Sequence, residues 1–587
     1  MTNHDVTGPV LPAFLEDRLR EATGGADAAQ HVKGLMRPAE TLMRVDTLKC
    51  FKASRLSFAD MLCRRMVQQR WQIRLVSGEV DDTSAGKFIY EIEAEGFRMT
   101  YIARAYPWDG IEKPGRRADG AMRDMFGALF VNAPDAARIE QEFATFDVKG
   151  DGAMRTSSDV IGWTPANRSS RHFDAVVDAL AEGRQPDGPL SYLMRNGGFQ
   201  ASGRNGSISF EGIPADNPLS HPFFADMFAI YLVRVFSIDL ANAVARRRNP
   251  SAAQLDPALA RTLGIGNSSG QGMCVALQRW PHWVATWVVT REVALAYAKS
   301  RTVTEAGKAQ LRKLLAETTE VYRTADPQVE EYVLTNDEMI AHLATIDGWI
   351  GEQACDGADW TALADRVART FGGETLEQLH SLLLELVPDF CDAIAPWFRQ
   401  GALRPRRYDP RMKVGALRDI LRRTYDWALT TDRTLAASHQ TFWYHSADHG
   451  EQRRGERIID PQEEFESFID HVGLIQRLAS ALTAYADDAP VADVVLGAPD
   501  LHFAIRRVQY LDGLPYAEIR DSIAHRDFLP ANLIRFFLGS LGIRGAVPLS
   551  MRYVRGTFYQ NQPLPNEFLD PPQVAARAMS HDTEVQL

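Results

Sequence analysis

Apolar positions divide the chain into two kinds of pattern. Phe58, Met61, Leu62 and Met66 recur at helical spacing directly behind Ser57 and Asp60, which have the form of a capping box, so an amphipathic helix is predicted there. Residues 72–79, 87–93 and 97–106 are short runs rich in Ile, Val, Tyr and Phe. They alternate with polar residues, as at Phe88, Tyr90 and Ile92, and turn-forming sequences separate them. That two-residue period predicts half-buried strands. One helix on an antiparallel sheet of three or four strands is the expected product, and residues 46–155 are its expected extent.

From Thr164 onward the period is that of helices. Phe173, Val176, Val177 and Leu180 form one apolar stripe, and longer series run through residues 311–324, 337–350, 376–398, 417–429 and 465–485. Residues 551–558 are the best strand in this part, and no repeat at a fixed period emerges. The fold class predicted is therefore mainly α: a large multi-helix body with a small N-terminal α+β unit. The expected divisions are a partly ordered leader at 1–45, the α+β unit at 46–155, a helical body with glycine-rich loops at 156–400, a C-terminal helical part at 401–570 and a flexible tail at 571–587. A chain of 587 residues exceeds what one hydrophobic core usually holds, about 250–300 residues, which agrees with several units.

The apolar run at residues 223–244 has nearly the length of a membrane span, but Asp226, Arg234 and Asp239 interrupt it, so a buried helix of a soluble protein is expected. A net charge of −11 speaks against nucleic acid or an anionic bilayer as partner. The short basic clusters at residues 246–248 and 404–407 read as solvated helix ends. Five scattered cysteines, with no C-x-x-C pair and no secretory leader in view, point to reduced thiols and a cytoplasmic location.

Candidate chemistry concentrates in three polar segments. Residues 263–273 carry Gly264, Gly266, Gly270 and Gly272 around Asn267, Ser268 and Ser269. Such a loop is costly to order, and its backbone N–H groups suit an anion. It is neither a Walker A loop nor a dinucleotide fingerprint. Over these few residues it is similar to the Ser- and Gly-rich lid of fumarase- and aspartase-type lyases, without the Lys and Asn that normally follow there. The second segment holds Arg168 and Arg171 close behind Thr164-Pro165, where a helix start is predicted. The third runs from Tyr192 through Arg195 to Gly198 and on to Gly206.

Metal ligation is weighed at two places. His445 and His449 have helical spacing around Asp448, and Glu377 with His380 lies among Leu376, Leu379, Leu382 and Leu383, which read as core. Two ligands seldom suffice for zinc, so no metal is expected. His282, in a Trp-rich segment, lacks an identified orienting partner.

These observations lead to an expected enzyme acting on a small carboxylate or phosphate. Asn267, Arg168, Arg171 and Arg195 would bind it, and Ser268 or Ser269 would act on it. A lyase or isomerase is preferred because no cofactor motif is present, and no cofactor is assigned. The alternatives are a non-catalytic helical binding or scaffold protein and a flavin oxidoreductase without a linear motif. A small anionic molecule is the expected partner, and self-association is left open.

Overall fold

The computed structural model describes residues 11–107, 124–149, 159–169, 172–188, 190–196, 213–214, 216–267, 281–324, 334–402, 408–432, 443–446, 451–454, 465–469, 471–514, 516–519, 530–548 and 554–568. In chain order, helices α1 (Ala13–Thr23), α2 (Ala26–Gly34) and α3 (Phe58–Gln68) precede strands β1 (Gln72–Val80), β2 (Gly86–Ala94), β3 (Phe97–Ala105) and β4 (Met125–Phe130). Then come α4 (Ala136–Lys149), β5 (Val160–Trp163), β6 (Ala166–Arg168), α5 (Phe173–Ala181), β7 (Tyr192–Asn196), α6 (Phe224–Arg248), α7 (Pro257–Thr262) and β8 (Gly264–Asn267). Helices α8 (Pro281–Lys299), α9 (Glu305–Thr324), α10 (Asn336–Glu352), α11 (Thr361–Phe371), α12 (Gly373–Leu383) and α13 (Val414–Leu429) follow. The chain continues through β9 (Trp443–Ser446), β10 (Glu451–Arg454), β11 (Phe465–Ile469), α14 (His471–Leu482), α15 (Val491–Gly497), α16 (His502–Leu511) and α17 (Pro530–Leu541) to β12 (Arg544–Pro548) and β13 (Val554–Phe558).

These elements form two compact units, each built from separated stretches of chain. One comprises Met1–Leu56, Gly270–Ser540 and Val547–Arg552; the other comprises Ser57–Ser269, Leu541–Ala546 and Tyr553–Leu587. The protein is a mixed α+β molecule in which helix predominates, and its N-terminal region contributes an antiparallel sheet with helices packed on it.

In the second unit the alternation along β2 does what its sequence dictates: Phe88, Tyr90 and Ile92 are buried while Glu91 and Glu93 are exposed. Helix α6 covers that face, with Phe236 edge-on to Phe88 at 5.0 Å between centroids and Phe228 edge-on to Trp71 at 5.2 Å. The opposite face is covered by α4, whose Phe143 and Phe146 pack with Ile102, Phe126, Phe130 and Trp163. Helix α6 is long and apolar enough to cross a membrane, but 78% of its most apolar window is buried against protein. Its charges are accommodated inside the fold. Arg234 donates to the carbonyl oxygens of Leu263, Arg261, Gln562 and Pro563 at 2.6–3.2 Å, and Asp239 accepts from the Tyr90 hydroxyl at 2.9 Å.

The sheet is larger than the sequence pattern predicts. Among the described residues it has ten strands, in the order β1-β2-β3-β4-β6-β7-β8-β13-β12, with β5 also paired to β4. The helical pattern expected from Thr164 onward is interrupted by β6, β7 and β8. These strands are three to five residues long and contain Gly, Asn and Arg, so they carry too little alternation to be told from loops.

In the first unit α8 supplies a buried stripe that includes Trp283, Val284, Trp287, Val288 and Val293. The Trp287 indole donates to the Leu56 carbonyl at 3.1 Å, and its ring packs with Phe51 and Phe536. Residues 11–45, expected as part of a partly ordered leader, instead form α1 and α2 and short helical turns. Leu15, Leu19, Ala29 and Val32 are buried there. Their apolar spacing is helical, but α1 and α2 each bury only two residues, a sparser stripe than that of α3. Helix α10 opens with a complete capping box between Thr335 and Glu338. Farther along, α13, α14 and α16 enclose a separate apolar cluster that includes Leu417, Ile420, Ile475, Leu478, Ile505 and Val508. The tail at 571–587 lies outside the described residues.

The Asp239 carboxyl yields a stability prediction. Burial pushes it up from 3.8 to about 6, against the pull of the Tyr90 hydroxyl and Arg246. A carboxyl raised on folding weakens the fold while ionised, and that cost is relieved progressively as pH falls from 6 to 3.8. Asp239→Asn keeps an acceptor for Tyr90. It should stabilise the protein by about 1–2 kcal/mol near neutral pH, with the gain fading as the wild-type carboxyl protonates. Urea unfolding at two pH values measures this, and equal stability of the two proteins at neutral pH would refute it.

Candidate functional site

The three polar segments singled out in the sequence are neighbouring strands of the sheet. Strand β6 pairs antiparallel with β7, through Ala166↔Asn196, Asn167↔Arg195 and Arg168↔Met194. Strand β7 pairs parallel with β8, through Tyr192↔Gly264, Arg195↔Gly266 and Asn196↔Asn267. Parallel neighbours require a long crossover, and α6 and α7 lie in the one that joins β7 to β8. The two strands run in the same direction and end side by side at Asn196 and Asn267. Asn167, Arg195 and Gly266 therefore occupy one row across three strands.

Two of the four glycines have packing reasons. A Cβ at Gly264 would lie 2.4 Å from the Phe558 carbonyl oxygen of β13, and one at Gly266 would lie 2.8 Å from Cγ of Arg195. The absent side chain at Gly266 is thus what lets the Arg195 stem lie against β8, beside the ring of Tyr192. Asn167 accepts the Asp124 N–H through Oδ1 at 3.2 Å, and the Asp124 carboxylate accepts the Arg168 N–H at 2.9 Å.

Arg168 itself is placed differently from expectation. It ends a strand, α5 begins only at Phe173, and no helix starts at Thr164-Pro165. Its buried Nη2 donates to the carbonyls of Ser84 and Tyr106, both at 3.0 Å, and its guanidinium lies 5.3 Å from the Phe173 ring centre. Arg168 therefore ties the β1–β2 turn to the end of β3. Arg195 is half-buried on β7. Asn267 closes β8, while Arg171, Ser268 and Ser269 lie outside the described residues.

Of the residues weighed for metal, Glu377 and His380 lie side by side in an ionic network. His445 is on strand β9, opposite Gln452 of β10, so helical spacing to His449 does not apply; His449 and Asp448 lie outside the described residues. Among the described residues no group of three or more His, Cys, Asp or Glu side chains could hold a metal ion. His282 is buried, with its ring edge-on to Tyr510 at 5.3 Å.

The densest chemistry in the first unit was read from sequence as apolar core. On α12, Thr375, Glu377, Gln378, His380 and Ser381 are all buried. Arg37 binds Glu292 through a fork, Nε to Oε2 at 2.9 Å and Nη2 to Oε1 at 2.7 Å, and reaches Glu377 through Nη1. Arg291 donates to the other oxygen of Glu377 at 2.7 Å and lies 4.4 Å above the Phe51 ring. Nδ1 of His380 is 3.4 Å from Glu377. One turn earlier, Glu374 is held by Lys52 and by both terminal nitrogens of Arg535, at 2.6 and 3.0 Å. Gln378 accepts from Tyr322 at 2.9 Å, and Thr375 bonds His342 at 2.8 Å.

Burial alone would push these carboxyls up. Lys52 and Arg535 reverse it, drawing Glu374 down to about 2, and Arg37 with Arg291 holds Glu377 well below the carboxylate range. Burial lowers His380 from 6.5 to about 4, although Glu377 opposes it, so the imidazole is neutral at physiological pH. The sequence signal for this network was weak. Acidic and basic partners come from residues 37, 291–292 and 377, far apart in the chain, and the leucines flanking Glu377 concealed it.

Two predictions follow from that network. Glu377→Leu removes the shorter of the two carboxylate contacts of Arg291 and the partner of Arg37 Nη1, leaving Glu292 alone to balance two buried guanidinium groups, and should cost about 3–5 kcal/mol. Adding Arg291→Met should recover part of the loss, as urea unfolding of the single and double variants would show; full additivity would mean that the two residues do not act as a pair. For pH, the unfolded chain protonates His380 below 6.5, while the folded chain resists to about 4. Stability should therefore fall as pH drops from 6.5 to 4, and His380→Gln should flatten that slope. An unchanged slope would assign the pH dependence elsewhere.

Compared with protein-family models, curated proteins and solved structures, the chain matches none of them.

Proposed function

We propose that the protein is an enzyme acting on a small anionic organic molecule, a carboxylate or a phosphate, at the C-terminal ends of β7 and β8. The observation that carries this is the side-by-side ending of the two parallel strands at Asn196 and Asn267. In sequence, one runs directly into Gly197-Gly198 and the other into Ser268-Ser269-Gly270. In sheets with parallel strands, ligands bind outside the carboxyl ends, where chains leaving adjacent strands diverge. Glycine-rich chain there can bring backbone N–H groups to an anion.

In this proposal Arg195 supplies the charge, its stem lying against Gly266, and Asn267 supplies a neutral hydrogen-bonding group. Arg171 adds a second cation, and Ser268 and Ser269 are the groups offered to the substrate. Arg168 acts indirectly by fixing the neighbouring strand through Ser84 and Tyr106. A lyase or isomerase reaction fits a site furnished with cations, amide and hydroxyl groups.

Thermal-shift and calorimetric titration against citrate, malate, inorganic phosphate and a sugar phosphate tests the proposal. One of these anions should raise the melting temperature. Arg195→Ala should weaken its binding by about ten- to a hundredfold, the loss of one charge-assisted hydrogen bond, with little change in the unliganded melting temperature. Arg195→Lys should rescue poorly, because an ammonium lacks the planar fork. No shift with any of the four, or affinity unchanged in Arg195→Ala, would overturn it.

A further inference from the structure

Strand β1 forms one end of the ten-stranded sheet, and among the described residues it pairs only with β2. An edge strand presents free N–H and C=O groups to any second strand that reaches it. None of the nine residues of β1 is buried. The exposed large hydrophobic residues described for the second unit are Leu75 and Val76, 39% and 46% exposed, adjacent to each other on this edge. A β-bulge between Leu75 and Ser77 leaves Val76 without a register partner on β2.

The sequence of β1 is complementary to its own reverse. Paired antiparallel about a two-fold axis between Val76 and Ser77, Arg74 would face Glu79 of the partner subunit, and Ile73 would face Val80 of the partner subunit. Leu75 would face Gly78 of the partner subunit, a position whose missing side chain leaves the Phe88 ring close to the backbone. Each charge is already flanked within the chain by its opposite, Arg74 by Glu91 and Glu79 by its register neighbour Lys87. A second copy would therefore extend an alternating row of charges. We infer that β1 is a self-association surface, on which a second copy of this chain adds its own β1 in antiparallel register to form an isologous dimer. This inference is independent of the proposed catalytic site.

One added strand pair buries less than a standard interface, so the dimer should be weak and concentration-dependent. Sedimentation velocity of the full chain, over about a hundredfold range of concentration, should show monomer converting to dimer. Val76→Lys should abolish the dimer. Arg74→Glu or Glu79→Arg alone should weaken it by about tenfold or more, since each places like charges opposite one another at two symmetric positions. The double exchange Arg74→Glu/Glu79→Arg should restore it, although it perturbs the contacts to Glu91 and Lys87 at least as much as either single change. Circular dichroism verifies folding, and Val76→Lys serves should a charge variant not fold. A wild-type chain that stays monomeric, a dimer indifferent to Val76→Lys, or a double exchange that fails to restore association would each overturn the inference.

Discussion

The first unit is organised around Glu377. Its two carboxylate oxygens are divided between guanidinium groups from different parts of the chain, Oε1 to Arg37 and Oε2 to Arg291, and both cations also bond Glu292. Buried ions of this kind contribute little net stability compared with apolar residues of the same shape, because desolvation offsets their attraction. What they impose is geometry. A Leu face on α12 could slide against α8 by one turn at modest cost, whereas Glu377 and Glu292 find their partners in only one register. The segment preceding α3 is tied into the same arrangement, since Arg37 and Phe51 both come from it and Lys52 pairs with Glu374. An N-terminal stretch of modest hydrophobicity is thereby ordered by ionic contacts together with its few buried leucines.

The second unit solves a related problem with carbonyl groups in place of carboxylates. Arg234, at the middle of the long apolar helix α6, finds four backbone oxygens at the end of α7 and in the chain that follows β13. Burial lowers its proton affinity, yet its donors are matched by four carbonyls, of which those of Arg261 and Pro563 also accept from the Asn561 N–H and the Tyr231 hydroxyl. The arrangement holds the start of β8 beside the chain leaving β13, and Gly264 permits the close approach of Phe558 there. A helix that resembles a membrane span by composition is thus fitted to a protein interior by its few charged residues.

How much of this was legible follows from the range over which each signal acts. The helix at Phe58, the alternation through Phe88, Tyr90 and Ile92, and the buried character of α6 are local patterns, and the structure contains each of them. Strands β6, β7 and β8 are three to five residues long and are defined by their neighbours, so no local period could reveal them. The prediction of a helix over Arg168 failed for that reason: Thr164-Pro165 is a valid helix start, but pairing with β4 and β7 won. The ionic network escaped detection because the two arginine partners of Glu377 are 86 and 340 residues away in the chain and the leucines around Glu377 made its segment read as apolar core. What the sequence did single out, three polar glycine- and arginine-containing segments, proved to be spatial neighbours although about a hundred residues separate the first from the last.

That convergence bears on how glycine-containing strands and a stable sheet coexist. Glycine in a strand weakens it, because nothing is packed and more backbone freedom is lost. At Gly264 and Gly266 the loss is offset by what occupies the vacated space, the Phe558 backbone in one case and the Arg195 side chain in the other. The first pair of glycines in the run therefore belongs to the scaffold. Gly270 and Gly272 come after the last residue of β8 and lie outside the described residues. The glycines that precede Asn267 in this segment thus help to fix the strand that carries it. That strand ends where β7 also ends, Asn267 beside Asn196, and the close contacts that seat it in the sheet are the ones Gly264 and Gly266 permit.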